Sequence, residues 1–356
     1  MKERGMREHG GNLDQAQQRF GGRAEDWIDL STGINRLPYP VGEIDRRHWS
    51  ALPARSEIDA LHQAAQHAYR TRAAVVAMGG AQAAIQLLPQ LAPRGRARIL
   101  TPTYNEYAPV LLAAGWVVEE VRALDALAGA DLAIVVNPNN PDGRWYTPAN
   151  LFALLPRVGR LVIDESFTDA VPHLSLASEA VRPGLVILRS FGKFYGLAGL
   201  RLGFALGHAA DIAKLAAMSG PWPVSGAAIA IGCRALRDDD WAKATSARLA
   251  RDCIRLDDMA RVQGWTLVGM TGHPEAVLAR ELAMCYAPVA LVTDTDAGVE
   301  EGEGVTQAEV FEVFAANIKR LRDVVLKAVA HLPGERDEDD LCAHALDGLP
   351  VPFALP

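Results

Sequence analysis

The sequence predicts an α/β protein whose main body is a mainly parallel β-sheet with helices on both faces. Three observations predict it. Short, nearly continuous apolar runs recur along the chain, as at Ala74-Val75-Val76-Ala77-Met78, Leu161-Val162-Ile163 and Leu185-Val186-Ile187-Leu188. Strands apolar on both sides belong to a sheet buried on both faces, and parallel sheets are built that way. Each run passes through a turn of small residues or proline into a stretch with helical apolar spacing, the alternation of a βαβ chain. The polar clusters fall just after apolar runs, where open α/β sheets hold their ligands.

Taken in order, His9-Gly10-Gly11-Asn12 opens a polar arm that leads into a short helix ending at Phe20. Trp27 to Asn35 is a short extended run that closes on the small polar residues Ser31-Thr32-Gly33. Pro38 and Pro40 keep the next stretch irregular. Ile58, Leu61, Ala64, Ala65 and Ala68 recur at helical spacing and predict a helix from Glu57 to Tyr69. The strand at 74–78 then runs through Gly79-Gly80-Ala81-Gln82 into a helix reaching Leu88, and Arg98-Ile99-Leu100 leads through Thr101-Pro102-Thr103-Tyr104 into a helix ending near Gly115. Further strands are expected at Trp116 to Val121, Asp131 to Val136, Leu161 to Asp164 and Leu185 to Leu188, with a helix near Pro148 to Leu155 and another apolar run from Leu200 to Leu206. Helices follow at Ala209 to Met218, Gly226 to Leu236 and Trp241 to about Val262. The last carries Leu249, Cys253, Leu256 and Ala260 on one face, and Gly264 stops it. The strand-like Trp265 to Met270 opens a smaller α/β unit. The division is therefore an arm (1–45), a large domain (46–264) and a C-terminal segment (265–356).

At 356 residues the chain can bury a large core. Its 36 basic and 43 acidic residues leave −7 with no basic cluster, which argues against nucleic acid or an anionic membrane as a partner. The acidic run Glu335 to Asp340 reads as a solvated loop. Cys233, Cys253, Cys285 and Cys342 lack CxxC spacing, so neither a disulfide framework nor a zinc site is expected and a reducing cytoplasm fits. The first eleven residues lack the apolar core of a signal peptide, and no stretch approaches ~18 uninterrupted apolar residues, so no membrane span is expected.

The chemistry gathers at the strand ends. Lys193 stands in Ser190-Phe191-Gly192-Lys193-Phe194-Tyr195-Gly196, on a glycine-flexed loop after a buried strand, a good position for a Schiff base. Asp164 ends another strand, where an unpaired buried carboxylate would be expensive; a protonated pyridine nitrogen would satisfy it and stay an effective electron sink. Gly79-Gly80-Ala81-Gln82 opens a helix whose free N–H groups suit a phosphate, and Ser190 and Arg201 could both reach that phosphate, the arginine with a bidentate fork. Tyr104 could stack on an aromatic ring. Asn140, in the turn Asn137 to Gly143, could bond a ligand, or both Asn139 and Asn140 could serve only the turn. Together these residues read as a pyridoxal 5′-phosphate site: Gly80, Ala81, Gln82, Ser190 and Arg201 at the phosphate, Asp164 at the ring nitrogen and Lys193 at the aldehyde.

Asn137 to Gly143, Asp164-Glu165-Ser166-Phe167 and Ser190 to Gly203 resemble the aminotransferase class I/II family of fold-type I pyridoxal phosphate enzymes. The resemblance makes Lys193 and Asp164 catalytic, has Asn140 bond the ring hydroxyl and has Tyr104 stack on the ring. Within that family His9-Gly10-Gly11-Asn12, Asp29 to Asn35 and Pro102 to Tyr107 look like the threonine-phosphate decarboxylases of cobalamin biosynthesis, over about residues 6–264. Those enzymes convert L-threonine O-3-phosphate to 1-amino-2-propanol O-2-phosphate and carbon dioxide, and the resemblance puts His9, Ser31, Thr32 and Gly33 near the substrate. Arg36 stands where a proline is commoner. A homodimer is implied as well. An aminotransferase of histidinol-phosphate type shares the cofactor motifs, but the N-terminal arm argues against it.

From Gly269 onward the sequence resembles something else. Gly269 to Glu281, Cys285-Tyr286-Ala287, Val292 to Asp296 and the ending Cys342 to Pro350 look like the C-terminal third of purine nucleoside and methylthioadenosine/methylthioinosine phosphorylases. There Met270 and Thr271 would lie near ribose and phosphate, and Asp294 and Asp296 near the base. The phosphorylase's own N-terminal part is missing, so no complete phosphorylase site is expected. The small domain that should carry an arginine for the amino-acid carboxylate is replaced. The expectation is an intact cofactor pocket, impaired substrate recognition and, as the alternative, an inactive fusion remnant.

Overall fold

In a computed structural model, the described residues are 10–262, apart from 24, 26 and 30, together with 322–327, 330 and 331. Contacts divide the chain into two compact units, Met1–Arg255 and Leu256–Pro356. The phosphorylase-like residues Met270, Thr271, Asp294 and Asp296, like Cys285 and Cys342, lie outside the described residues, and so does His9.

Seven strands form one sheet in the first unit: β1 (Ala74–Met78), β2 (Arg96–Leu100), β3 (Val117–Val121), β4 (Leu132–Val136), β5 (Leu161–Asp164), β6 (Leu185–Ser190) and β7 (Gly203–Gly207). Their spatial order is β1-β7-β6-β5-β4-β2-β3. All neighbours are parallel except β7, which runs antiparallel to both β1 and β6. That exception matters for the site. Met78 and Ser190, at the carboxyl ends of β1 and β6, both pair with Gly203, the first residue of β7. The residues leading into β7 therefore lie at the end of the sheet where the other strands finish.

Ten α-helices lie within residues 13–262: α1 (Leu13–Phe20), α2 (Arg47–Ser50), α3 (Arg55–Ala68), α4 (Ala81–Leu87), α5 (Tyr107–Ala113), α6 (Pro148–Leu154), α7 (Phe191–Phe194), α8 (Ala209–Ser219), α9 (Gly226–Ala235) and α10 (Asp239–Val262). Successive strand residues point to opposite faces, and each face has its own core. Val75, Ala77, Val135, Ile163, Ile187 and Phe204 pack with Leu61 of α3, Leu151 of α6 and Ile229 of α9. Val76, Met78, Ile134, Val162, Val186 and Ala205 pack with Ile85 of α4, Leu111 of α5 and Leu215 of α8. Burial on both faces is why these strands read as unbroken apolar runs rather than alternating ones.

Two expectations are corrected. Lys193 is not on an open loop but on α7, a single helical turn. The apolar face of α10 packs on the core through Leu249, whereas Cys253 and Leu256 further along are exposed. The side chain of Ala260 lies outside the described ones.

Candidate active site

A cavity of about 360 Å³ opens at the carboxyl end of the sheet. Its lining contains every expected site residue that the structure describes: Gly80, Ala81 and Gln82 beyond β1, Tyr104 beyond β2, Asn140 beyond β4, Asp164 on β5, Ser190 and Lys193 beyond β6, Arg201 before β7, and Ser31, Thr32 and Gly33 from the arm.

Asp164, 4% exposed, is held from three sides. The Ser166 N–H (2.9 Å) and the Ser166 hydroxyl donate to its Oδ1, and the Tyr107 hydroxyl donates to Oδ2 at 2.5 Å. Neither Ser166 nor Tyr107 stands out as a functional residue in the sequence. Signals existed: a hydroxyl residue two positions after an aspartate closes an Asx-type turn, and Tyr107 sits three positions after Tyr104, on the same side of a helical start. Burial, reinforced by the charge of Asp164 and this hydrogen bond, raises the Tyr107 hydroxyl well above its ordinary pKa and keeps it a donor. An ionised carboxylate offers about four lone-pair positions. Three are filled, and Oδ2 retains one for a cationic N–H. The partners are fixed dipoles, so the carboxylate is oriented before a ring arrives.

Lys193 is mostly withdrawn from solvent. Burial pushes its amine below the usual lysine range, the charge of Asp164 opposes that, and Arg201 adds to it. A lowered pKa leaves more of the neutral, nucleophilic amine at a given pH. Its Nζ lies 5.7 Å from the centroid of the Phe167 ring. That ring also contacts the arm: a Cβ built on Gly33 would come 2.8 Å from Phe167 Cε1.

At the glycine-turn end of the cavity the start of β7 is packed against α4. Gly80 has φ +82°, and a Cβ there would fall 2.7 Å from Arg201 Nη2, so the guanidinium lies directly against the turn. Arg201 holds a left-handed conformation (φ 53°, ψ 49°) that a non-glycine residue keeps only where its surroundings impose it. A Cβ on Gly203 would meet Ala81 N at 2.4 Å and Gly80 C at 2.6 Å, so only glycine lets β7 start this close to α4. The first N–H groups of α4 have no carbonyl one turn back to accept them. The Gln82 side chain is committed elsewhere: its amide nitrogen donates to Glu106 Oε2 at 3.0 Å, and its Oε1 accepts from the Tyr104 hydroxyl at 3.3 Å. Gln82 would thus offer a phosphate its backbone.

The two asparagines of the 137–143 turn separate cleanly. Asn139 accepts from Thr103 Oγ1 and donates to Pro102 O and Asp142 Oδ1, while Asn140 faces the cavity. In the arm, Gly11 N–H donates to Ser31 Oγ, which donates to Asp29 Oδ1. A Cβ on Gly10 would lie 2.0 Å from Ser31 O, which accounts for a glycine there. Arg36 donates to Asp29 O and ties the loop instead of stiffening it as a proline would. The residues present fit pyridoxal 5′-phosphate: a buried, oriented carboxylate, a desolvated amine, and a guanidinium beside a glycine turn stand around one cavity.

Comparison with known proteins gives two separate matches. Residues 45–273 match the aminotransferase class I and II family, and residues 244–330 match the phosphorylase superfamily. A threonine-phosphate decarboxylase of Sinorhizobium sp is 45% identical over 295 residues, covering 79% of this chain and 88% of that protein. A purine nucleoside phosphorylase of Streptomyces coelicolor is 58% identical over 96 residues, which is 27% of this chain and only 34% of that protein. Among solved structures, aspartate aminotransferase from Thermus thermophilus with maleate superimposes with a TM-score of 0.58 at 22% identity, over 67% of this chain and 72% of that one.

Proposed function

The chain belongs to the aminotransferase class I and II family, whose cofactor is pyridoxal 5′-phosphate, and from that membership we propose that it decarboxylates L-threonine O-3-phosphate to 1-amino-2-propanol O-2-phosphate. The observation that carries the proposal is the extent of likeness to a threonine-phosphate decarboxylase, 45% identical over 79% of this chain and 88% of that protein. The cavity supports it. Arg201, Ser190 and the backbone of Gly80 to Gln82 would hold the cofactor phosphate, Asp164 its ring nitrogen, Asn140 its ring hydroxyl, and Tyr104 one ring face.

When bound, the cofactor supplies an aldehyde for amine capture and a cationic ring that accepts the electrons left when the carboxylate departs. The protein does the rest. Asp164 would face the ring nitrogen, its carboxylate already oriented by three donors. Lys193 brings an amine with a lowered pKa and would return a proton to the carbon that loses carbon dioxide. Ser31, Thr32 and Gly33 wall the substrate side. Purified protein given cofactor and threonine phosphate should release carbon dioxide with no keto acid present; formation of a keto acid from the substrate would assign it to transamination instead.

Two further features belong to this reading. Trp49 on α2 (69% exposed) and Leu52 just after it stand on the surface, Gly226 of α9 packs on the His48 carbonyl, and exposed Trp222 precedes α9. Exposed apolar surface of this kind suits a protein contact, and it supports a homodimer, checked by light scattering. Cys233 and Cys253 are free thiols, in keeping with a cytoplasmic location. No helix among the described residues is long and apolar enough to cross a membrane.

A further inference from the structure

The lysine turn is too short to hold itself. α7 has four residues, so its last carbonyls lack a full following turn of N–H groups, and only Lys193 O among the last ones gains a local donor, Gly196 N–H at 3.3 Å. Residues 35–39 of the arm supply those donors instead. Asn35 N–H donates to Lys193 O at 3.0 Å, Asn35 Nδ2 to Phe194 O at 2.8 Å, and Tyr39 N–H to Tyr195 O at 2.9 Å. Three successive carbonyls are thus capped by one segment. The approach is so close that a Cβ on Gly196 would strike Asn35 O at 2.6 Å and Pro38 Cα at 2.7 Å.

Asn35 bonds correctly in only one orientation of its amide. Its nitrogen must face Phe194 O, so its oxygen must face the other way. Arg248, on α10, donates from Nη2 to that oxygen at 2.6 Å, and Leu37 N–H donates to it at 3.1 Å. Arg248 is anchored on its own helix by Asp252 Oδ2 at 3.1 Å. A donor such as guanidinium cannot accept from the amide nitrogen, so it rejects the flipped rotamer. Asn35 is also only two residues from Gly33, which touches the Phe167 ring beneath Lys193 Nζ. The substrate-side arm and the lysine turn are therefore fixed to each other through one side chain.

The geometry points to Asn35 and Arg248 as positioning residues for Lys193: Arg248 sets the Asn35 amide, and Asn35 caps the helical turn that aims the lysine into the cavity. Neither needs to touch cofactor or substrate. The inference rests on reading Lys193 as the cofactor lysine, and its test separates the two. Cofactor capture, followed by absorbance, and amide exchange in the cofactor-free protein are measured for Asn35→Ala, Arg248→Met, Arg248→Lys and the Asn35→Ala/Arg248→Met double variant.

Residues acting through one contact couple rather than add. Each of Asn35→Ala and Arg248→Met should slow capture by about tenfold, and the double variant should be slower than either by no more than about twofold. Arg248→Lys, which keeps a donor, should recover most of the rate. Exchange should quicken in peptides covering 31–39 and 191–197 in both single variants. Unchanged exchange in a folded Arg248→Met protein, multiplying effects of about a hundredfold in the double variant, or a folded Arg248→Lys protein as slow as Arg248→Met would each overturn the inference. If the wild-type protein captured no cofactor, the functional reading would fall. The exchange comparison would still decide whether Arg248 holds the turn.

Discussion

The Lys193 amine titrates under the influence of burial and two charged neighbours, Asp164 and Arg201. Capture of an aldehyde needs the neutral amine, so its rate should climb with pH through the Lys193 pKa. Because burial lowers that pKa, with Arg201 helping and Asp164 opposing, the climb should begin below the range of an ordinary lysine. The sign of each neighbour gives opposite shifts. Arg201→Gln removes a lowering charge and should move the profile to higher pH. Asp164→Asn removes a raising charge and should move it lower. Stopped-flow capture rates against pH measure both, and a shift of the same sign in both variants would contradict this electrostatic picture. Lys193→Ala should abolish the absorbance of covalent capture outright. Tyr107→Phe keeps the buried ring but removes one of the three donors to Asp164. A bond to a charged group contributes about 1.5–3 kcal/mol, so cofactor affinity should fall roughly ten- to a hundredfold with little change in thermal stability beyond that one bond, as titration and melting would show.

At the scale of elements, the site depends on an antiparallel strand inserted in a parallel sheet. β7 starts where β1 and β6 end, and this brings Arg201 to the glycine turn before α4. Gly203→Ala would push a Cβ into the backbone of Gly80 and Ala81, atoms that cannot swing aside. Overpacking of this kind costs about 1–3 kcal/mol. Urea unfolding should register that loss, and phosphate-end affinity should fall with it. The strand positions were legible in the sequence because double-sided burial makes each strand an apolar run, and the turn residues after them were legible because they are glycine, proline, asparagine and serine. The direction of β7 was not, since Leu200 to Leu206 reads as apolar whichever way it runs. The helical state of the lysine turn was also hidden. Four residues carry no periodicity, and that turn is capped by carbonyl contacts from residues more than 150 positions earlier. Tyr107 and Ser166 escaped notice for a related reason: each acts by orienting Asp164, and sequence spacing marks the group that reacts more readily than the groups that hold it.

The aminotransferase class I and II match and the shorter match to the phosphorylase superfamily overlap at residues 244–273. α10 spans the start of that overlap, and Arg248 within it bonds Asn35 of the arm. The cofactor half thus uses this helix at least that far, and all the described residues of the cavity belong to the unit Met1–Arg255. Cofactor binding should accordingly be independent of the phosphorylase-like residues. Substrate binding is a different matter. Threonine phosphate carries two anionic groups, and Lys193 and Arg201 are the only lysine or arginine side chains among the described residues lining the cavity. With Arg201 at the cofactor's phosphate and Lys193 at its aldehyde, as proposed, the substrate anions have no dedicated cation among the described lining residues. One absent charge-assisted contact is worth about 1.5–3 kcal/mol, so KM for threonine phosphate should lie roughly ten- to a hundredfold above that of the Sinorhizobium decarboxylase assayed beside it, while the two proteins capture cofactor at similar rates. Equal KM values would mean that a cation reaches the substrate from residues 1–9 or from residues 263–356. Substituting Arg280 and Arg320 singly would then show whether the phosphorylase-like segment supplies a partner for the substrate carboxylate.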